Sequence, residues 1–310
     1  MNTYWQWIFY CFSVAALPPL SIGVLRKTKA RLQNRIGSAI WQPFFDLIKL
    51  FRKTETLSDT MSGIFRFSTI VNFGVILTLA WVIPWIPIQP WTTQSDIFVV
   101  IYLLALEKLF TMLGALDSGS AFGAFGASRE ATLNLLVEPA VCLALVALAL
   151  TSNSTDLSVI FSSPYRADLS AVCICAGSAI FLASLVELCR MPVDDPTTHL
   201  ELTMIHEAMV LEASARNLFL LEFTRMLKTT LLWGLSIRCF MHAFPRIVDV
   251  NLLGQELIAL TGIFIMAMFV GIFESLVVKL QWRKVPEFVA YIMTLSLISI
   301  FIAVAGKYTS

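Results

Sequence analysis

The chain has 310 residues, of which 57% are apolar and only 14% charged, with a formal net charge of +1 and a mean hydropathy of +0.78. Soluble domains average about 25% charged residues, so this composition excludes an ordinary soluble protein. Apolar stretches of roughly 18 or more residues recur along the whole length, each long enough to cross a hydrocarbon core about 30 Å thick. The expected architecture is an all-α, integral membrane protein forming one domain over residues 1–310.

In chain order the expected spans are 5–25, 67–88, 96–116, 131–151, 170–189, 218–240, 253–277 and 287–306, about eight transmembrane helices. Backbone polar groups in lipid must be satisfied within the segment, which makes these spans helices. No basic residue precedes the first span and no cleavage site accompanies it, so it is expected to be retained rather than removed as a signal peptide. After it, Leu32, Ile36, Ile40, Phe44, Leu47, Ile48 and Phe51 recur at three- and four-residue spacing with Arg31, Arg35, Asp46, Lys49 and Arg52 among them. That pattern predicts one amphipathic helix along the membrane surface from Lys29 to Phe51.

Between spans three and four, residues 117–130 form a glycine-rich connection. No strand precedes it, which rules out a nucleotide-binding loop. The region between spans five and six is the most polar. Asp195 before Pro196 marks a helix start, and His199, Glu201, His206, Glu207 and Glu212 follow on a short amphipathic helix. His199 and His206 are seven apart and share a face. A zinc site needs His-x-x-x-His spacing and a further ligand, so solvated or partner-facing polarity is the expectation and no metal is assigned. Arg225 and Lys228 make the sixth span the least apolar.

Lysine and arginine set the orientation. Seventeen of the 22 fall in the first, third, fifth and seventh connecting regions, nine of them between Arg26 and Arg66. The opposite side carries Arg166, Arg238, Arg246 and Lys307, and Lys108 sits inside a span. The odd-numbered loops are therefore expected in the cytoplasm and both termini outside, in an inner (cytoplasmic) membrane. Membrane topology and contact with lipid headgroups account for the basic first loop, so nucleic acid is not an expected partner. The six cysteines, Cys11, Cys142, Cys173, Cys175, Cys189 and Cys239, contain no Cys-x-x-Cys grouping. Iron–sulfur or structural zinc binding would need one, which leaves these thiols as packing residues.

Carboxylates stand where they are costly. Glu107, Glu138, Glu187, Glu222 and Glu274 fall within or at the edges of spans, and Lys108 joins them. A charge at the centre of a membrane helix costs about 2.5–3.5 kcal/mol on insertion scales, so each must be protonated, paired or hydrated. A buried cluster of this kind holds groups able to exchange protons, as an ion path requires. Local pairing offers a structural account of two of them, Glu222 with Arg225 and Glu187 with Arg190, each at i, i+3. Glu107 and Glu138 have no such partner. Spans three, four and five are consecutive, so Glu107, Glu138 and Glu187 are expected to converge.

Four motifs in order carry a family resemblance. Arg31-Leu-Gln-Asn-Arg-Ile-Gly-Ser-Ala-Ile-Trp-Gln-Pro resembles the first cytoplasmic loop of the NADH dehydrogenase subunit 1 family. Gly126-Ala-Ser-Arg-Glu through Val137-Glu-Pro is similar to its third loop and fourth helix. Glu187-Leu-Cys-Arg-Met-Pro-Val-Asp resembles its Glu-x-x-Arg-x-Pro-Phe-Asp signature, and Leu211-Glu-Ala-Ser stands where the family has Glu-Tyr-Ser-Gly. Leu116-Asp-Ser-Gly-Ser-Ala-Phe and Phe273-Glu-Ser look like the branch found in formate hydrogenlyase and energy-converting membrane-bound nickel–iron hydrogenases.

The resemblance implies a membrane subunit beneath hydrogenase-like large and small soluble subunits, beside antiporter-like membrane subunits. It implies no cofactor in this chain, the iron–sulfur clusters and nickel–iron centre belonging to the partners. Candidate ion-path residues are then Glu107, Lys108, Glu138, Glu187, Glu201, Glu207, Glu212, Glu222 and Glu274. Arg31, Arg35, Asp46, Lys49, Arg129, Arg190 and Asp194 are the candidates for partner docking. The sequence departs from the family after Asp194: where several glutamates usually follow, Pro196-Thr-Thr-His-Leu-Glu keeps only Glu201.

That departure weighs against the alternative, a quinone-site subunit of a respiratory NADH dehydrogenase. A third class, an independent secondary transporter, would show internal inverted repeats, and none is visible. The charge bias makes a direct prediction about topology. A cysteine placed at Asn2 should react with an impermeant thiol reagent from outside the cell while one at Leu57 should not, and the opposite pattern would reverse the orientation.

Overall fold

The computed structural model describes residues 3–56, 61–90, 95–163, 167–194, 204–248 and 250–309. In chain order its α-helices are α1 (Thr3–Leu32), α2 (Gln42–Arg52), α3 (Gly63–Val82), α4 (Ile97–Asp117), α5 (Ala121–Ser152), α6 (Leu157–Ser162), α7 (Ala167–Glu187), α8 (His206–Val210), α9 (Ala215–His242), α10 (Pro245–Val248), α11 (Leu252–Leu276) and α12 (Val285–Thr309). Seven of them, α1, α3, α4, α5, α7, α11 and α12, are long and apolar enough to cross a membrane.

The eighth expected span is α9, whose 28 residues extend about 42 Å at roughly 1.5 Å per residue. It stands apart from the other seven because its charged residues make it too polar to face lipid. The bundle compensates by enclosing it. α9 packs against α1, α2, α3, α7 and α11, and every residue from Met226 to Ile237 is buried. Around this axis α3 pairs with α4, α1 with α11, and α12 packs on both α5 and α7.

Two loops depart from the sequence reading. A single surface helix from Lys29 to Phe51 does not form. α1 continues to Leu32, the chain then turns through Asn34 (φ 56°) and Gly37 (φ 65°), and α2 restarts with Pro43 in its first turn. Two residues in the left-handed region cannot continue a right-handed helix. α2 keeps the expected amphipathic character, burying Pro43 and Leu47 and exposing Trp41 at its start, Phe45, Ile48 and Phe51.

The second departure is residues 121–130, expected as a glycine-rich connection and found as the first turns of α5. Their glycines serve close approach. A Cβ on Gly126 would lie 2.7 Å from the Ile205 carbonyl oxygen and 2.9 Å from the Met209 side chain, and one on Gly123 would lie 2.8 Å from the Ala115 carbonyl oxygen. The helix expected after Pro196, with His199 and Glu201, falls largely outside the described residues; α8 is the part that is described.

At the end of the bundle that carries both termini, segment 83–90 tucks between helices, with Ile83, Trp85 and Ile86 fully buried. Trp85 Nε1 donates to the Tyr10 hydroxyl at 3.0 Å, and that hydroxyl donates to the Ala80 carbonyl. A short antiparallel bridge between Asp96 and Asp156 ties the starts of α4 and α6.

The α5–α8 contact can be tested directly. Gly126→Val should force α5 off residues 205–209 and destabilise the protein by about 1–3 kcal/mol, the usual cost of overpacking. Thermal unfolding of the purified variant would report it, and a wild-type midpoint would show that the contact is loose.

Candidate ion-path site

Lys228 of α9 is the centre of the site. Its ammonium donates to Glu107 Oε2 of α4 at 2.7 Å and to Glu187 Oε2 of α7 at 2.9 Å. Glu187 is shared: Lys108 of α4 lies 3.4 Å from the same carboxylate. Lys108 also pairs with Glu130 of α5 and donates to the Glu187 carbonyl oxygen at 2.9 Å. Glu107, Lys228, Glu187, Lys108 and Glu130 therefore form an unbroken row of alternating carboxylates and ammoniums, all buried.

Adjacent residues point different ways on a helix, so Glu107 and Lys108 face separate partners instead of each other. The Cys189 thiol donates to Glu130 Oε2 at 2.9 Å from a backbone in the left-handed region (φ 47°). Thr111 closes the other end, its hydroxyl 3.3 Å from Glu107 Oε1 and 2.6 Å from the Asn72 amide nitrogen.

Two cavities meet this row, and a third adjoins it through Arg225. A narrow space of about 20 Å³ touches all five of its members and also His206 and Arg225, which is room for about one water. Arg225 reaches from it into a cleft of about 400 Å³ beneath α2, where Arg26, Lys29, Asp46, Arg190, Glu207, Glu222 and Glu274 converge. Glu187 reaches the other way, into a small, mostly apolar cavity it shares with Glu138 and Cys142. Burial, then the cations of Arg225, Lys108 and Lys228, hold the His206 imidazole well below its usual 6.5. It is neutral at physiological pH and able to accept a hydrogen bond from a water in the cavity.

The structure revises several expected pairings. Glu187 does not pair with Arg190; Arg190 turns to Glu274 at 2.9 Å, which also takes Lys29 at 3.2 Å. Arg225 bonds Glu207 at 2.8 Å instead of Glu222, which lines the cleft. Of the convergent trio, Glu107 and Glu187 meet on Lys228, while Glu138 is half-buried and joins them through the shared cavity. Glu212 is exposed after α8 and apart from the row, and Glu201 lies outside the described residues.

Among the expected docking residues, Arg31, Arg35 and Lys49 are exposed. Asp46 pairs with Arg26 at 3.5 Å, and Arg129 donates to the Met204 carbonyl oxygen at 3.2 Å. Arg190 and Asp194 are buried instead of presented at the surface, Asp194 holding Lys279 at 2.6 Å and the Ile205 amide at 3.0 Å. Sequence reasoning misses Glu130 and Lys228 as members of the row. Glu130 stands among glycines that read as a loop, and Lys228 reads only as a defect in a span. The signal that could have found Lys228 is that a span tolerating a central lysine needs buried carboxylates to receive it.

Fold and site together define an all-helical, multi-pass membrane protein with a buried ionisable core. A family model described as NADH dehydrogenase matches residues 5–304, and the chain belongs to that family. Hydrogenase-4 component C of Escherichia coli (strain K12) is 34% identical over 240 residues, covering 76% of this chain and 74% of that one. Formate hydrogenlyase subunit 4 of the same organism is 29% identical over 282 residues, covering 88% and 89%. An NADH-quinone oxidoreductase subunit of Symbiobacterium thermophilum is 25% identical and covers 57% of this chain and 58% of that one. A chain in the solved structure of membrane-bound sulfane sulfur reductase, an archaeal respiratory membrane complex, superposes with a TM-score of 0.79 over 98% of this chain and 100% of that one, at 18% identity. That likeness shows a common fold.

Removing the shared cation tests the row. Lys228→Met keeps much of the length but strands Glu107 without an ammonium and leaves Glu187 with Lys108 alone, and breaking a buried pair costs about 3–5 kcal/mol. The purified variant should unfold at clearly lower temperature or accumulate poorly in membranes. Lys228→Met combined with Glu107→Gln should recover part of the loss, since the stranded carboxylate is then replaced by a neutral amide.

Proposed function

We propose that this chain is the membrane-arm coupling and anchoring subunit of a complex I-related, hydrogenase-type assembly, linking redox chemistry in a soluble partner to movement of protons or sodium ions. The observation that carries the reading is the continuity of ionisable groups from the 400 Å³ cleft, through Arg225 and the Glu107–Lys228–Glu187–Lys108–Glu130 row, to Glu138. The similarity to Hydrogenase-4 component C and formate hydrogenlyase subunit 4 supports the hydrogenase branch. The partners are then hydrogenase-like large and small subunits, which hold the nickel–iron centre and iron–sulfur clusters, and antiporter-like membrane subunits.

In this reading the first loop and the region after α7 face the cytoplasm of an inner membrane, and both termini face outward. The exposed Arg31, Arg35 and Lys49 supply charge for the soluble partner, and the apolar face of α2 lies at the lipid or partner boundary. Charge rearrangement in the partner, sensed at the cleft, shifts the positions of Arg225 and the shared ammoniums. The row holds three carboxylates against two ammoniums, so an excess proton is accommodated on it without creating net positive charge. Neighbouring carboxylates do not all ionise cheaply, and a proton on one is readily shared with the next.

The cleft also has room for part of a quinone, which supports the second reading, a quinone-site subunit; quinone co-purifying with the intact complex would favour it. The main reading is tested by Glu138→Gln and Glu187→Gln. Glutamine keeps shape and much of the hydrogen bonding but removes the titratable proton. Ion translocation linked to hydrogen or quinone turnover should fall at least about tenfold, a loss of about 1.4 kcal/mol in transition-state terms, in membranes with normal complex abundance. Alanine at either position should also reduce assembly, through lost packing and unpaired neighbours. Full coupling in both glutamine variants would reduce the row to structural ion pairs.

A further inference from the structure

Arg238 stands about one turn before the C-terminal end of α9, at the end of the bundle that carries both termini and apart from the Lys228 row. Its guanidinium lies 5.2 Å from the centre of the Phe161 ring of α6, a cation–π contact that holds the planar group in place. Its Nε is buried without a hydrogen-bond partner. Among the described residues Arg238 forms no ion pair with any carboxylate. Glu256 of α11 accepts the Ile88 amide at 2.8 Å and does not line the space beside Arg238.

That space is a cavity of about 30 Å³ lined by Phe161, Arg238, Met241, His242, Ile247 and Gln255. None of these is acidic. Arg238 and His242 stand four apart, on one face of α9, and α11 brings the Gln255 side chain from the other side. The lining is held in advance: His242 Nε2 is 3.4 Å from Ser163 Oγ, and Gln255 Nε2 donates to the Val250 carbonyl at 3.1 Å. A cation without a counter-ion inside a membrane protein is costly, and a pocket that offers it no carboxylate suits an anion.

Volume decides the form of that anion. A cavity of about 30 Å³ takes a water or a single anionic oxygen and is too small for a whole phosphate, so the ligand inserts one oxygen and keeps its bulk at the mouth. Phosphate oxygens match a guanidinium, whose N–H groups receive them as charge-assisted hydrogen bonds. The surroundings point to the source. Phe244, two residues after His242, and Leu252, one turn before Gln255, are both exposed, so apolar surface lies beside the pocket as acyl chains require.

We propose that this pocket is a lipid headgroup site: a phosphate oxygen of a membrane lipid enters it and pairs with Arg238, while the chains of that lipid lie on Phe244 and Leu252. The bond satisfies donors that the protein leaves empty, and no covalent bond changes. One lipid is thereby fixed where α6, α9, α10 and α11 meet, and it anchors the end of the helix that carries Lys228. The site depends neither on the ion-path reading nor on which side of the membrane the termini occupy.

The test is lipid binding to the purified, intact assembly, followed by native mass spectrometry as phosphatidylglycerol or diacylglycerol is titrated in, with inorganic phosphate as competitor. The expected result is one phosphatidylglycerol retained through detergent exchange and no equivalent site for diacylglycerol, which has the chains without the phosphate. Arg238→Gln should weaken that site at least about tenfold, the scale of one charge-assisted hydrogen bond. Lys307→Gln, which removes an exposed cation at the same end of the bundle, should leave it unchanged. If Arg238→Gln does not accumulate, Gln255→Glu gives Arg238 an internal carboxylate in the same cavity and should displace the lipid from a folded protein. Inorganic phosphate that competes as tightly as the lipid binds would show a free-anion site and overturn the lipid assignment. Equal phosphatidylglycerol binding in the wild type and both cavity variants, or an equal loss in Lys307→Gln, would overturn the site itself.

Discussion

An ammonium in the middle of a membrane protein has to be surrounded by carboxylates, and the carboxylates in turn need cations. Lys228 imposes that requirement, and the arrangement of the bundle follows from it. α9 cannot lie at the lipid boundary, so α1, α3, α7 and α11 close around it. α4 and α7 each bring a glutamate to the same nitrogen, and α4 then supplies Lys108 to balance Glu187 and Glu130. Four helices are tied to one another by this single row. Its net contribution to stability is small beside the desolvation it involves, since buried ion pairs roughly offset their own cost. What it secures is a unique register of α4, α5, α7 and α9.

Small residues and unusual backbone serve the same end. Gly126 lets the carbonyl of Ile205 approach α5, and the next residue, His206, lines the narrow space at the row. The turn after α7 uses Cys189 in the left-handed region to aim its thiol at Glu130 while Arg190 leaves in the direction of Glu274. Two residues apart in sequence, Leu188 and Arg190 thus serve different cavities: the Leu188 carbonyl meets Arg225, and Arg190 walls the large cleft. A motif that reads as one string of residues is, in three dimensions, a junction between the cleft and the row.

Arg225 joins the cleft to the space at the row and Glu187 joins that space to the cavity at Glu138, whereas Arg238 lies near the C-terminal end of α9. The middle of α9, from Leu231 to Leu235, is buried, with Gly234 against Trp85.

Residues in their linear order were sufficient to establish the membrane class, the positions of all eight long helices to within a few residues at most ends, and the family. Hydropathy and backbone satisfaction in lipid are local constraints, legible wherever about twenty apolar residues follow one another. Local spacing also pointed to Glu107, Glu138 and Glu187, because a carboxylate inside an apolar run is conspicuous on its own. It misassigned their partners. Pairing at i, i+3 suggested Arg190 for Glu187 and Glu222 for Arg225, but the chosen partners lie 41 residues from Glu187 and 18 from Arg225. Helix rotation and packing decide which side chains meet inside a bundle, and neither is encoded in the spacing of one helix. The same reason hid Glu130, whose glycine-rich neighbours read as a loop although α8 needs them for its approach, and Lys228, whose charge counts against its helix until the surrounding carboxylates make it the centre.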